Sequence, residues 1–255
     1  MRQNAYKIAQ ISDLHCGDFR FDKKLLTKAI KEINYENPDL LVVAGDLTID
    51  GYREQFEEAK YYIDKMLCQQ KIIIAGNHDC RNVGYIYFEK IFGQRYSDME
   101  LDFDVSRKGK TQEKIRLVAV DSNKPDLNDG EVGREKYKFI SEGFKRKDYF
   151  NVFILHHHLV SVPGTGRERN IVWDAGDVLE ELSKAKVDLV LNGHKHVPYV
   201  WNMNGMQIIT SGTVGTRRTR GLAEPSYNII EISEEEIKIK IKTPGKIADL
   251  INIKR

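Results

Sequence analysis

All seven histidines of this 255-residue chain fall at the ends of short apolar runs. Ile72-Ile73-Ile74-Ala75 leads into Gly76-Asn77-His78-Asp79: an apolar run bounded by glycine reads as a buried strand, and here it delivers amide, imidazole and carboxylate at its carboxyl end. The pattern recurs where Ile8-Ala9-Gln10-Ile11 leads to Asp13-Leu14-His15 and Leu40-Leu41-Val42-Val43-Ala44 to Gly45-Asp46. It recurs again where Val152-Phe153-Ile154-Leu155 leads to His156-His157-His158 and Leu189-Val190-Leu191 to Gly193-His194-Lys195-His196. Histidines scattered through a core would not gather this way. Carboxylates, imidazoles and one amide, with no thiolate, suit Mn, Fe, Zn or Co, whereas a magnesium site is ordinarily oxygen-rich. These donors exceed what one ion needs. Two divalent ions about 3.5–4 Å apart, bridged by a carboxylate and a hydroxide, form a clamp for in-line displacement at phosphorus. Asp46, the lone carboxylate of its strand end, is the expected bridge.

The elements that must hold these groups can be read around them. Strands are expected at Tyr6 to Ile11 and Leu40 to Ala44, with helices between them from the spacing of Leu25, Leu26, Ala29, Ile30 and Ile33 and of Phe56, Ala59, Tyr62, Ile63, Met66 and Leu67. Asp22 is the expected N-cap region of the first helix, and Pro38 follows its end. This β-α-β-α-β start implies a parallel sheet with right-handed crossovers, whose carboxyl edge is where ligands bind. After a short helix from Tyr85 to Phe92, Leu101, Phe103 and Val105 alternate with charges, Lys108-Gly109-Lys110 reads as a turn, and Ile115 to Val120 returns as a buried strand. A helix from Arg134 to Phe144, a strand from Val152 to Leu155, a helix from Asp177 to Lys184 and a strand from Leu189 to Leu191 follow. Strands at Tyr199 to Met203, Met206 to Thr210, Tyr227 to Ile232 and Ile237 to Ile241 complete the chain, with Asn204-Gly205 a hairpin turn. The fold class is therefore α/β, with two sheets face to face and helices outside. The loop from Val160 to Ala175 is long for a compact domain and is read as functional.

Bulk properties narrow the function. The length and the absence of a linker point to a single domain over residues 1–255. Lys and Arg total 40 against 38 Asp and Glu, a net charge of +2, which lacks the basic excess of a dedicated duplex-binding protein. Any phosphate-binding charge must be local. Three cysteines, Cys16, Cys68 and Cys80, and no charged-then-apolar leader argue against a disulfide framework, and no apolar run approaches the roughly 18 residues of a membrane span. A cytoplasmic protein that does not engage the membrane is expected.

In this order, Asp13-x-His15, Gly45-Asp46, Gly76-Asn77-His78-Asp79, His156 and Gly193-His194-x-His196 resemble the calcineurin-like metallophosphoesterases across nearly the whole chain. The histidine run and the Gly-His-x-His look like the class III 3′,5′-cyclic nucleotide phosphodiesterases within that superfamily. The resemblance implies a four-layer α/β/β/α sandwich and two divalent transition-metal ions. Asp13, His15 and His196 would hold the first ion, Asn77, His156 and His194 the second, and Asp46 both. His78 would face the substrate, donating to a phosphoryl oxygen or protonating the leaving alkoxide. The implied reaction is phosphodiester hydrolysis by in-line attack of a metal-bridging hydroxide.

Other residues carry weaker readings. A lone Asp-x-His is usually surface or capping chemistry; five motifs in register are not. His157 and His158 are read as packing or support for the ligands, since neighbours on a strand point to opposite sides. Asp79 should fix a backbone turn or orient a neighbour. Arg167, Arg169, Arg217, Arg218 and Arg220 could grip the distal part of a substrate or stand solvated, and Asn123 and Tyr227 could touch a base, although packing is the plainer reading. Where the family often has prolines after the histidine pair, this chain has Leu159-Val160, which leaves the substrate open. A nuclease, a glycerophosphodiesterase or a phosphomonoesterase are alternatives, nucleic acid being disfavoured by charge; a non-catalytic scaffold is argued against by the complete ligand set. Family members are often dimeric, but no apolar stripe establishes a homodimer here.

Overall fold

A computed structural model describes residues 5–103, 113–146, 149–166 and 171–255. Its first half alternates strand and helix: β1 (Tyr6–Ile11), α1 (Lys23–Glu36), β2 (Leu40–Ala44), α2 (Arg53–Asp64), β3 (Gln70–Ile74) and α3 (Gly84–Phe92). Then come β4 (Ser97–Phe103), β5 (Glu113–Ala119), a 3-10 turn at Arg134–Lys136 running into α4 (Tyr137–Gly143), β6 (Tyr149–Ile154), α5 (Ala175–Lys184) and β7 (Leu189–Asn192). Five strands end the chain: β8 (Tyr199–Met203), β9 (Met206–Thr210), β10 (Tyr227–Ile232), β11 (Glu236–Lys242) and β12 (Asp249–Lys254).

Local chemistry accounts for the boundaries. At α1 the Asp22 carboxylate accepts from the amides of Lys24 and Leu25 at 3.0 Å, and Asn37 ends the helix in a left-handed conformation before Pro38. Leu26, Ala29, Ile30 and Ile33 form its buried face, as their spacing predicts. The expected turn at 108–110 lies outside the described residues. β12 escaped the sequence reading because only Ile251 and Ile253 of this edge strand pack inward, while Leu250 on the other face stays exposed.

The strands assemble as two six-stranded sheets, ordered β12-β11-β10-β1-β2-β3 and β4-β5-β6-β7-β9-β8. In the first, β1, β2 and β3 run parallel; in the second, β5, β6, β7 and β9 do. Alternation along each strand divides the core into three. Ile8, Leu40, Val42, Ile72 and Ile74 meet Leu117, Val152, Ile154, Leu189 and Leu191 between the sheets. Ala9, Ile11, Leu41 and Val43 pack under α1, α2 and α3 through Leu26, Ile33, Phe56 and Phe88. On the far side, Val118, Phe153 and Val190 pack under α4 and α5 through Ile140, Val178 and Leu182. The layering is α/β/β/α.

One polar residue ties the sheets together near their functional edge. Gln10 is fully buried on β1 and donates from Nε2 to the carbonyls of Asn192 and Ile209 in the other sheet, at 2.9 and 3.1 Å. Its Oε1 accepts from Asn228 at 3.0 Å, so both ends of the amide are satisfied. An apolar slip plane between two sheets has no preferred register, whereas these directional bonds have one. Asp13 follows β1 and His194 follows β7, so the tie sets the spacing between groups that belong to different sheets.

Candidate metal centre

The carboxyl ends of β1, β2, β3, β6 and β7 converge, and Asp13, His15, Asp46, Asn77, His78, His156, His194 and His196 meet there with no side chain more than 9% exposed. Asp13, His15 and His196 form one group: Asp13 Oδ1 lies 3.3 Å from His196 Nε2 and 3.8 Å from His15 Nε2. Asp46, His156 and His194 form another, with Asp46 Oδ2 at 3.4 Å from His156 Nε2 and His194 Nδ1 at 3.3 Å from the same nitrogen. Asn77 Oδ1 joins this second group, 3.0 Å from His194 and 3.3 Å from His156. Asp46 Oδ2 is also 3.7 Å from His15, which makes its carboxylate common to both.

Hydrogen bonds behind the rings decide which atoms face inward. His156 Nδ1 lies 2.7 Å from the Ala44 carbonyl and His196 Nδ1 against the Arg218 carbonyl; a carbonyl only accepts, so both Nδ1 atoms carry a proton and both Nε2 atoms point into the cluster. His15 Nε2 then faces His196 Nε2 at 2.9 Å. Asp13 Oδ1 is buried with no hydrogen-bond partner among the described residues. Buried acceptors held against acceptors are unfavourable unless a proton or cation sits among them. The donor set, imidazole and carboxylate without thiolate, fits a divalent transition-metal ion.

The backbone is bent to make this possible. Asp13, His15, Asp46, His194 and His196 all have positive φ, between 53° and 85°, a region that costs non-glycine residues energy and that clusters at functional sites. Gly76 packs so closely on Asp46 that a Cβ would collide with its backbone nitrogen and carboxylate. The outer oxygens of the carboxylates are fixed by amides: Asp46 Oδ1 accepts from His78 N at 2.9 Å and Asp13 Oδ2 from His194 N at 3.0 Å. Asp79 fastens the loops after β2 and β3 by accepting from the amides of Leu47, Thr48 and Gly76 and from the Thr48 hydroxyl, at 2.8 to 3.0 Å.

Burial, with nearby cations, governs titration. It drives His15 down to about 3, His158 to about 4, and His157 and His194 well below their ordinary value, so these rings are neutral. Burial would also raise Asp46, but His156 and His78 together hold it well below the usual carboxylate range. Burial works against a proton on His156 too; Asp46 and Asp13 overcome it and lift that ring to about 9. His157 and His158 support the cluster. His158 Nε2 donates to the Gly193 carbonyl at 2.8 Å, and His157 packs its ring 4.4 Å from that of His194 while bonding Ser122 and the Asn128 carbonyl.

The cluster opens into a pocket of about 390 Å³ lined by Arg20, Asp46, Asn77, His78, Arg81, Asn128, His194, Lys195, His196, Arg218, Thr219 and Arg220. Of the arginines picked out by sequence, Arg218 and Arg220 reach it; Arg217 instead pairs with Asp22 at 2.8 Å, and Arg167 and Arg169 lie outside the described residues. Asn123 is turned to the Ala75 carbonyl and the buried Tyr227 to Glu32, both packing roles. Arg20, Arg81, Asn128 and Lys195 were not foreseen. Only Lys195, between two candidate ligands, and Arg81, three residues past His78, had a sequence signal. Burial and Arg220 bring Lys195 down to about 8.

The state of His156 has a measurable consequence. Its proton is held in the metal-free fold up to about pH 9, because the folded-state value lies above the ordinary one, and a cation entering between His156 and Asp46 must displace it. Metal titration calorimetry at pH 7.5 in buffers of different ionisation enthalpy should therefore register release of about one proton per chain, with affinity rising about tenfold per pH unit toward pH 9. Uptake with no proton released would contradict this account of the acceptor cluster.

Among the described residues no helix is long and apolar enough to cross a membrane, and all three cysteines are free and buried. The chain is 25% identical over 250 residues to a probable cyclic nucleotide phosphodiesterase of Xenorhabdus bovienii, covering 90% of this chain and 96% of that protein. It is 28% identical over 233 residues to a component of the nuclease SbcCD of Staphylococcus epidermidis, covering 82% of this chain and 61% of the relative. The fold superposes on a dimetal phosphatase from Danio rerio with a TM-score of 0.70 at 13% identity, over 98% of both chains. The sequence model for the calcineurin-like phosphoesterases matches residues 6–198, a span that takes in every group gathered at the strand ends, and the chain accordingly belongs to this family of metal-dependent phosphoester hydrolases.

Proposed function

We propose that the chain hydrolyses small phosphodiesters, with 3′,5′-cyclic nucleotides the leading candidates. The observation that carries this reading is the cluster of buried carboxylates and imidazoles beneath a pocket rimmed with cations, with His78 at the junction. Asp13, His15 and His196 would hold one divalent ion, Asn77, His156 and His194 a second, and Asp46 both. Such ions, when bound, supply Lewis acidity at the phosphoryl oxygens and lower the pKa of water. The remaining work falls to side chains. Arg81 stands in the pocket with its guanidinium anchored on the Ile49 carbonyl and Asn128, where it can meet a non-bridging oxygen.

His78 donates from Nδ1 to the Ile49 carbonyl at 2.7 Å, which turns Nε2 toward the pocket. Its main-chain amide is bonded to Asp46, so the ring is positioned by the same carboxylate that joins the two groups. Burial lowers its pKa, helped by Arg81 and opposed by Asp46, so the free enzyme carries a neutral ring. An incoming phosphodiester anion offsets that burial and favours a proton on Nε2, from which the leaving alkoxide can be protonated.

Near-neutral net charge and a pocket of nucleotide size favour small substrates, and the relatives named for cyclic nucleotides agree. The nuclease relative and the basic rim favour a second reading, cleavage of nucleic-acid strands. Salt separates the two. With manganese, cyclic nucleotides and nitrophenyl diesters should be turned over with weak salt dependence. Efficient oligonucleotide cleavage that falls by about 10³–10⁵ between 50 and 200 mM salt, with no turnover of cyclic nucleotides, would replace this reading with the nuclease.

His78→Ala should lower the rate on a diester with an alkoxide leaving group by about 10²–10⁴. The loss should shrink on a nitrophenyl diester, whose leaving group needs little protonation. Equal losses on both substrates would remove the acid role from His78.

A further inference from the structure

The pocket rim carries more positive charge than a phosphodiester can use. Arg20, Arg81, Lys195, Arg218 and Arg220 line it, and Asp46 at the base is the only carboxylate among its lining residues. Some charges at and beside the rim are paired. Arg217 binds Asp22, Arg20 leans on Asp18 and Arg81 lies 3.9 Å from Asp50. Lys195, Arg218 and Arg220 form no ion pair among the described residues. Successive residues of the segment Arg217-Arg218-Thr219-Arg220 thus divide: the first secures the start of α1, and the other three face the pocket. Arg218 is further held beside the acceptor cluster, because its carbonyl accepts from His196.

A phosphodiester brings one negative charge, and the adjoining centre would already oppose it once divalent cations were bound there. Three more unpaired cations repel one another until an anion joins them. A phosphate monoester group brings about 1.5 to 2 further charges and three acceptor oxygens, which match two guanidinium forks and an ammonium. Apart from the imidazoles of His78, His194 and His196 no ring lines the pocket, and none of its lining residues is apolar, so recognition there is chiefly electrostatic.

We propose that Lys195, Arg218 and Arg220 form a second anion subsite beside the metal centre, which takes a phosphate carried by the substrate in addition to the reacting phosphodiester. This rests on the phosphodiesterase reading and extends it from cyclic nucleotides, which carry no second phosphate, to phosphodiesters of phosphorylated nucleosides or sugars.

The test compares two chromogenic substrates that differ by one group: the p-nitrophenyl ester of thymidine 5′-phosphate, with and without an added 3′-phosphate. With the manganese-loaded enzyme the 3′-phosphorylated ester should have a kcat/KM about tenfold higher or more, mostly through KM. That ratio should fall to about one in the double variant Arg218→Ala/Arg220→Ala and below one in Arg218→Glu/Arg220→Glu, with unfolding midpoints confirming that each variant folds. Lys195→Gln should lower the ratio in part. A ratio near one in the wild type, or one that survives in the double variant, would overturn the subsite. A binding arm keeps this separate from catalysis: thymidine 3′,5′-bisphosphate should bind the manganese-loaded protein at least about tenfold more tightly than thymidine 5′-phosphate by calorimetry, and the gap should close in the double variant. If neither ester were hydrolysed the phosphodiesterase reading would fail, while equal binding of the two nucleotides would still refute the subsite.

Discussion

Two buried carboxylates and the ring nitrogens of four imidazoles face one another at 2.9 to 3.8 Å, and the rest of the structure serves that arrangement. Left alone, such a cluster is electrostatically frustrated: carboxylates and ring nitrogens crowd together away from water, and Asp13 Oδ1 has no hydrogen-bond partner among the described residues. Part of the strain is relieved by a proton on His156, the one ring in the cluster lifted well above its ordinary value. Divalent cations would relieve the rest, so the free energy stored in the unpaired site becomes affinity for metal.

Holding that frustration in place takes a rigid frame. Three elements of the fold supply it. The parallel strands bring five loop starts to one edge, the Gln10 amide fixes one sheet against the other, and Asp79 knots the loops after β2 and β3 with four hydrogen bonds. The positive φ values at five of the gathered residues are the local cost of this geometry, and they persist because the surrounding bonds leave the loops no other course. The groups proposed for catalysis and recognition sit on the same frame. His78 hangs from Asp46 through its amide, and the Arg218 carbonyl orients His196 while the side chain of the same residue lines the pocket.

Most of this was legible in the chain itself. Strands buried on both faces read as continuous apolar runs, so β1, β2, β9 and β10 have the bounds their residues predict, and the Asn204-Gly205 turn marks where the edge strand β8 ends. The gathering of histidines at strand ends required only that those strands be parallel and adjacent. What escaped has physical reasons. β12 is an edge strand with too few inward residues to show alternation. The 3-10 turn before α4 depends on Asp174, which accepts from the amides of Val132 and Gly133 across the fold, a contact invisible to periodicity. Arg20 and Asn128 enter the pocket from irregular loops, where no pattern tells an inward side chain from a solvated one. Arg217 shows the converse, since its charge was readable and its direction, toward Asp22, was not.

The shared carboxylate of Asp46 is the critical element. Crystals of the manganese-loaded protein, measured at a wavelength where manganese scatters anomalously, would locate the ions directly. Two anomalous peaks per chain are predicted, one against Asp13, His15 and His196, the other against Asn77, His156 and His194, with Asp46 touching both. In Asp46→Asn both peaks should weaken sharply while the sheets stay unchanged. A single peak in the wild type, or two full peaks in the variant, would contradict a centre built around that carboxylate.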